Sequence, residues 1–179
     1  MTYDIIRSRR RTMAAQIKDG RLIVRAPLFA TDAEIHNFLQ KHQRWAEKHL
    51  AKAQVLDAIE PLTMDELRNL AEQAKAVIPQ RVAYYAPLIG VDYGRITIRA
   101  QHSRWGSCST KGNLNFNCLL MLTPPEVLDS VVVHELCHRK EMNHSPKFYA
   151  EVLHAYPDYQ KWRDWLKEND PALMRRIAP

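Results

Sequence analysis

A chain of 179 residues is long enough for one domain, or for one domain with a small N-terminal annex. A 46% hydrophobic content excludes a disordered polypeptide, and no apolar run approaches the ~20 residues of a membrane span. The net charge of +6 permits a polyanionic partner without requiring one, and three cysteines (Cys108, Cys118, Cys137) with no paired metal spacing fit a reducing cytosol.

The opening residues, MTYDIIRSRRRT, have no apolar stretch after their charges, so they do not read as a secretory signal and the expected location is cytoplasmic. Arg7, Arg9, Arg10 and Arg11 form the densest basic cluster. It suits contact with nucleic acid or another polyanion, and equally the solvated face of an edge strand. Residues 3–8 and 12–17 alternate weakly, residues 21–25 form a strand run, and Asp19-Gly20 between them predicts a hairpin that Pro27 ends. Thr31 and Glu34 form a capping box. Ile35, Phe38, Leu39, His42, Trp45, Ala46 and Leu50 then recur at helical spacing, predicting one amphipathic helix over 32–53. Periodicity fades over 54–62 and Pro61 breaks the chain, which divides it into an annex of hairpin and helix over 1–60 and a core over 61–179.

A second long helix is predicted from Thr63 to Tyr85, with Pro79 placed to kink or interrupt it, and Pro87, Gly90 and Gly94 mark a loop. Residues 95–100 and 113–117 alternate strictly and are joined by a polar, glycine-bearing connection, so they read as an antiparallel pair. Pro124-Pro125-Glu126 opens an apolar helix through Val127, Leu128, Val131, Val132, Val133 and Leu136. Ser145-Pro146 restarts the chain for a helix carrying Phe148, Tyr149, Val152, Leu153 and Tyr156. Pro157-Asp158 precedes a last helix with Tyr159, Trp162, Trp165 and Leu166 on one side, aromatic spacing that suits core better than a binding platform. The expected class is α+β, built on a small antiparallel sheet.

The stretch VVVHELCHRKEMNH, residues 131–144, carries the chemistry. His134 and His138 are one helical turn apart and share a face, so both imidazoles can bind one ion. Glu135 lies about 100° round the helix, beside the metal without pointing at it, where a general base for activated water belongs. Two histidines and a glutamate on an apolar helix are costly unless something satisfies them, and a metal does so. A catalytic zinc wants three protein ligands and an open position. On a continuing helix His144 would lie ~15 Å from His134, so the chain must turn, and Asn143 tolerates the conformation that ends helices. The spacing equals that of the metzincin motif, but its glycine position holds Glu141. Glu141 would share the helix face of His134 and His138 and is therefore the rival third ligand, Glu151 is a more distant one, and an exposed cap is the structural reading of His144. Cys118 and Cys137 read as small buried hydrophobes.

These residues resemble the YgjP-like family of zinc metallopeptidases, relatives of the SprT-like and other HExxH peptidases. The likeness rests on Arg104-Trp-Gly-Ser-Cys-Ser109, the 113–117 strand, the Pro-Pro-Glu helix start, HELCH at 134–138 and Asn143-His144-Ser145 with Phe148. Ser8-Arg9-Arg10, the Asp-Gly hairpin, Arg25-Ala-Pro27 and a helix with Trp45 extend it over nearly the whole chain. The resemblance implies a zincin-like α+β core, one zinc ion held by His134, His138 and His144, and Glu135 as catalytic base.

The expected reaction is metal-assisted hydrolysis of a peptide or protein. Arg104, Tyr149 and His154 are candidate oxyanion donors, and the loop at Trp105-Gly106-Ser107 is placed to line the cleft. A metal-dependent nucleotide or phosphoanhydride hydrolase is the alternative, from the arginine-rich start and from Arg99, Arg104 and Lys111 around a Ser/Gly loop, although no Walker-type loop is present. A non-catalytic nucleic-acid-binding protein with structural zinc is the third reading. Against it, structural zinc sites usually close with cysteine.

Overall fold

The computed structural model describes residues 2–18 and 20–177. Two compact units make up the chain, Met1–Glu60 and Pro61–Pro179. No helix among the described residues is long and apolar enough to cross a membrane.

The first unit holds a three-stranded sheet and two helices. Strands β1 (Tyr3–Ser8), β2 (Ala14–Lys18) and β3 (Arg21–Pro27) lie in the order β1-β3-β2. The predicted hairpin is the antiparallel β2–β3 pair, closing at Lys18 opposite Arg21. Gly20 has φ +69°, and Asp19 of that turn lies outside the described residues. Val24, Ala26, Ala30 and Ile35 form a small core. Arg7 has a structural role here: its guanidinium hydrogen-bonds the carbonyl of Ala30 and pairs with Asp32 at 2.6 Å.

The helix expected over 32–53 is two helices, α1 (Asp32–Lys41) and α2 (Gln43–Asp57). The capping box of Thr31 and Glu34 forms as predicted. The break is at His42, whose ring Nδ1 lies 2.8 Å from the Phe38 carbonyl. The backbone N–H of His42 would take that carbonyl in a continuing helix; it bonds Leu39 instead, at 3.1 Å.

In the second unit, α3 (Met64–Ile89) starts at a Thr63–Glu66 capping box and runs past both prolines. Pro79 does not interrupt it, and Pro87, expected in a loop, lies inside its last turn. Leu70, Ala74, Ile78, Val82, Tyr85, Ala86 and Ile89 are buried at helical spacing across both positions. Burial at roughly 1.5–3 kcal/mol per large side chain outweighs a proline cost of about 3 kcal/mol. Gly90, at φ +76°, ends the helix.

Strands β4 (Ile96–Arg99), β5 (Gly106–Cys108) and β6 (Leu114–Asn117) order as β4-β6-β5. The two alternating strands, β4 and β6, pair in parallel rather than as the expected antiparallel pair. The connection between them supplies β5, which forms the antiparallel hairpin with β6 through a turn at Gly112, φ +78°. A Gly-Ser-Cys strand has no β-branched or alternating signal, so periodicity alone passes over it.

A short 3-10 turn (Cys118–Leu122) leads to α4 (Pro125–Cys137), followed by α5 (Pro146–Ala155) and α6 (Tyr159–Met174). Helix α4 is the centre of this unit: Leu128, Val131, Val132, Val133, Leu136 and Cys137 are all buried in one core with the inner face of α3 and with Leu114, Phe116, Phe148 and Tyr159. Trp162 and Trp165, expected on the inward side of the last helix, stay half-buried, while Leu166 packs against this core.

Asp129 on α4 takes a bidentate bond from Arg81 on α3, both arms at 2.6 Å, and a third from the Tyr85 hydroxyl at 3.1 Å. The carboxylate holds the guanidinium firmly protonated, and burial beside it pushes the Tyr85 phenol up to about 12. Asp129→Ala would strand both donors between the helices. Because Arg81 keeps about a third of its side chain in water, the expected loss is about 2 kcal/mol in urea unfolding, below that of a fully buried pair. A loss within 0.5 kcal/mol, the ordinary range for a surface change, would mean the pair does not fasten α3 to α4.

Candidate metal centre

Helix α4 delivers His134, Glu135 and His138 from an otherwise apolar cylinder. It ends sooner than expected, at Cys137, with His138 as its C-cap at φ −63°, ψ −15°. The turn is therefore not made at Asn143 alone. The amides of Arg139, Lys140 and Glu141 bond back to the carbonyls of Leu136, Cys137 and Cys137, a tight descent that starts the return five residues before Asn143. Ser145 caps α5 through the Phe148 amide, and the segment between is fastened outside. Arg139 bonds the Asp92 carboxylate at 2.9 Å and the Asp92 and Thr110 carbonyls, and Lys140 pairs with Glu151 at 2.7 Å.

This return brings His144 over the helix. The ring nitrogens of His134, His138 and His144 that face one another all lie within 4.8 Å, and His134 Nε2 is 3.0 Å from His144 Nε2. Tetrahedral ligands at ~2.1 Å from one ion stand about 3.4 Å apart, so the spacing fits a shared metal. The opposite ring nitrogens are engaged: His134 Nδ1 lies 2.8 Å from the Tyr159 hydroxyl and His138 Nδ1 3.1 Å from the Glu141 carbonyl. Such partners hold the tautomer that leaves Nε2 free to ligate. Phe148, fully buried, touches all three rings with centroids 4.5–4.9 Å away and forms the floor of the cluster.

The rival ligands fall elsewhere. Glu141 contributes its carbonyl to His138, and Glu151 is bound to Lys140; among the described residues neither carboxylate belongs to the cluster. Cys137 is buried, its thiol pushed up to about 12, as expected of a packing residue.

Burial and the neighbouring imidazoles His138 and His144 hold His134 down to about 3, and burial lowers His138 as well. Both rings are thus neutral and available as ligands. Glu135, 6% exposed, is pushed up to about 8 by burial, against the pull of Arg104. Neutral imidazoles beside a buried carboxyl make a donor set short of a positive charge, and a divalent cation supplies it.

Glu135 sits against β5. A methyl group at Gly106 would come within 2.6 Å of Oε1 and 2.7 Å of Cγ, so only glycine lets the strand approach this closely. Trp105 and Gly106 line a pocket of about 180 Å³ with Val131, His134, Glu135 and Tyr159. The Trp105 indole is fixed by Asp170 at 2.7 Å. Tyr149 stacks beside His144, ring centroids 6.2 Å apart. Arg104 acts on Glu135 through its charge but lines a separate groove with His102 and Ser107, and His154 lies exposed on α5, outside the cluster. The sequence reading missed Tyr159 and Arg163 as site residues. Both line the pocket one helical turn apart on α6, a spacing legible once that face is known to look at the metal helix.

The YgjP-like metallopeptidase domain matches residues 11–66 and 65–169. The chain belongs to that family. No curated protein matches it. Among solved structures, the metallopeptidase zymogen abylysin of Pyrococcus abyssi is similar at 19% identity and a TM-score of 0.49, covering 57% of this chain and 100% of its own. The zymogen jannalysin of Methanocaldococcus jannaschii is similar at 20% identity and 0.45, covering 51% and 95%.

Two outcomes follow for this YgjP-like chain. In metal-free protein, the folded state holds the Glu135 proton up to about 8, against an ordinary 4.5. The stability this group contributes is full below 4.5 and is lost as pH rises through about 8, because the unfolded chain ionises first. Chemical unfolding of metal-free Glu135→Gln should lack that loss between pH 4.5 and about 8; an unchanged pH profile would contradict the burial argument. Gly106→Ala should displace Glu135, at about 1–3 kcal/mol of stability, while the metal content measured by atomic emission stays near wild type. Loss of the metal in that variant would mean that β5 supports the ligands rather than the carboxylate.

Proposed function

We propose that this chain is a zinc-dependent metallopeptidase in which His134, His138 and His144 hold one zinc ion and Glu135 is the general base. The observation that carries the reading is the convergence of three imidazoles, each of the first two held by a partner on its other nitrogen, beside a buried carboxyl. Zinc bound there supplies a Lewis acid that polarises a carbonyl and acidifies water.

The chain's own residues do the rest. Glu135 accepts a proton from the attacking water and returns it to the leaving amine. Its packing on Gly106 restricts it to one side of the cluster, which keeps it from displacing a histidine as ligand. Tyr159 fixes the His134 ring. The apolar pocket wall of Trp105, Val131 and Leu166 excludes water and accepts a substrate side chain, and β5, an edge strand, offers backbone groups to an extended peptide. Of the three candidate oxyanion donors, Tyr149 stands nearest the cluster and is the one we assign.

A peptide substrate is favoured over a nucleotide because the cations of the alternative reading are not in the pocket. Arg99 and Arg104 line grooves apart from it, and Lys111 is on an exposed turn. The three cysteines are free, which suits a reducing cytoplasm.

Glu135→Gln should keep stoichiometric zinc and lose roughly 10²–10⁴-fold in the cleavage rate of an unfolded protein substrate. Full activity in that variant would remove Glu135 as base. Metal content separates the third ligands: His144→Ala should lose zinc and Glu141→Ala retain it, and the reverse pattern would replace His144 by Glu141.

A further inference from the structure

The sheet β4-β6-β5 has two unlike faces. Ile96, Ile98, Leu114 and Phe116 turn into the core, and Glu135 packs on Gly106 from that same side. On the other face Thr97, Asn115 and Ser107 stand in one row across the three strands, with Asn115 Nδ2 donating to Ser107 Oγ at 3.2 Å. Arg95 and Arg99 lie two residues either side of Thr97, so they share its face.

Two open grooves meet there at Arg99. One, about 560 Å³, follows the chain from Arg95 through every residue of β4 to Arg99, Ile96 and Ile98 included, beside Lys75 and Pro79 of α3. The other, about 570 Å³, continues over His102 and Arg104 to Ser107 and Asn115. Among the lining residues there is no carboxylate. Lys75 pairs with Glu72 on its own helix, while no ion pair engages Arg95, Arg99 or Arg104 among the described residues. Strand β4 is an edge of this sheet, so one set of its backbone N–H and C=O groups faces away from β6. An edge strand beside a helix is the geometry in which extended peptides add as a further strand. No Phe, Tyr or Trp lines either groove, which removes the stacking platform that single-stranded nucleic acids use.

We propose that this trough, from Lys75 through Arg95 and Arg99 to Arg104, is a docking site for an acidic, extended polypeptide segment that adds to the β4 edge. Its part along β4, Arg95 to Arg99, lies on the opposite face of the sheet from Glu135, and docking there requires neither metal nor hydrolysis. The occupant is a segment whose carboxylates alternate with apolar or β-branched residues, because alternate side chains of an added strand point to one face.

The test is fluorescence anisotropy on full-length Glu135→Gln protein, so that cleavage plays no part and failure of the peptidase reading leaves the result interpretable. The probe is a labelled peptide in which glutamate alternates with valine. Binding should weaken with added salt and fall by about tenfold or more in Arg95→Glu/Arg99→Glu. A glutamine-for-glutamate peptide, or one N-methylated at alternate residues, should bind no better than the double variant does. Both arginines are exposed, so the variant should keep the parent unfolding midpoint; if it does not, Arg95→Gln/Arg99→Gln carries the same comparison. Unchanged affinity after loss of both charges overturns the proposal. So does equal binding of the N-methylated peptide, or binding of oligothymidine where the acidic peptide does not bind.

Discussion

Everything in the second unit depends on keeping polar, reactive side chains on a helix that has almost no contact with water. Helix α4 is apolar on nearly every side, and Asp129, Ser130, Glu135 and His138 are buried within it. Each must be met by a partner or it costs stability. Asp129 is met by Arg81 and Tyr85, Ser130 by the Val127 carbonyl, and His138 by the Glu141 carbonyl. Glu135 is the member whose environment opposes its charge, and beside it lie three imidazoles whose facing nitrogens could hold a metal ion. Its surroundings and the ligand cluster are two consequences of one burial.

The neighbours of α4 are built accordingly. Helix α3 grips it through a bidentate ion pair rather than through packing alone, which fixes rotation about the helix axis as well as distance. Strand β5 presents glycine where any side chain would collide with Glu135. Helix α5 lays Phe148 under the three imidazoles, and α6 brings Tyr159 to the back of His134. The return from His138 to Ser145 is tied outward by Arg139 and Lys140, so His144 is positioned by contacts that do not themselves touch the cluster.

Much of this was legible in the sequence where it depended on local chemistry. Residue type and spacing showed the shared helical face of His134 and His138, the Thr31–Glu34 capping box, the β2–β3 hairpin and the apolar character of α4. Chain order alone hid what depended on distant partners. Pro79 and Pro87 argue against a continuous helix, yet the buried face of α3 runs through both because burial outweighs the lost bonds. The parallel β4–β6 pairing was invisible because β5, three small residues, carries no alternation. The break at His42, where the backbone N–H bonds Leu39 and the ring lies against the Phe38 carbonyl, leaves no mark in the apolar spacing, which runs on through it. Tyr159 and Arg163 read as parts of an amphipathic face until the direction of that face was fixed.

The same sheet that brings β5 to Glu135 turns Arg95, Thr97 and Arg99 the other way, so one face meets the candidate site and the other carries charge. The central claim concerns the first face: three histidine nitrogens holding one zinc ion with a position left open. X-ray absorption at the zinc edge of the loaded protein tests it most directly. The account predicts one zinc per chain with three imidazole nitrogens and one further oxygen at about 2.0–2.2 Å. A sulfur scatterer at ~2.3 Å, from Cys137 or Cys108, or a shell with only two imidazoles, would contradict it.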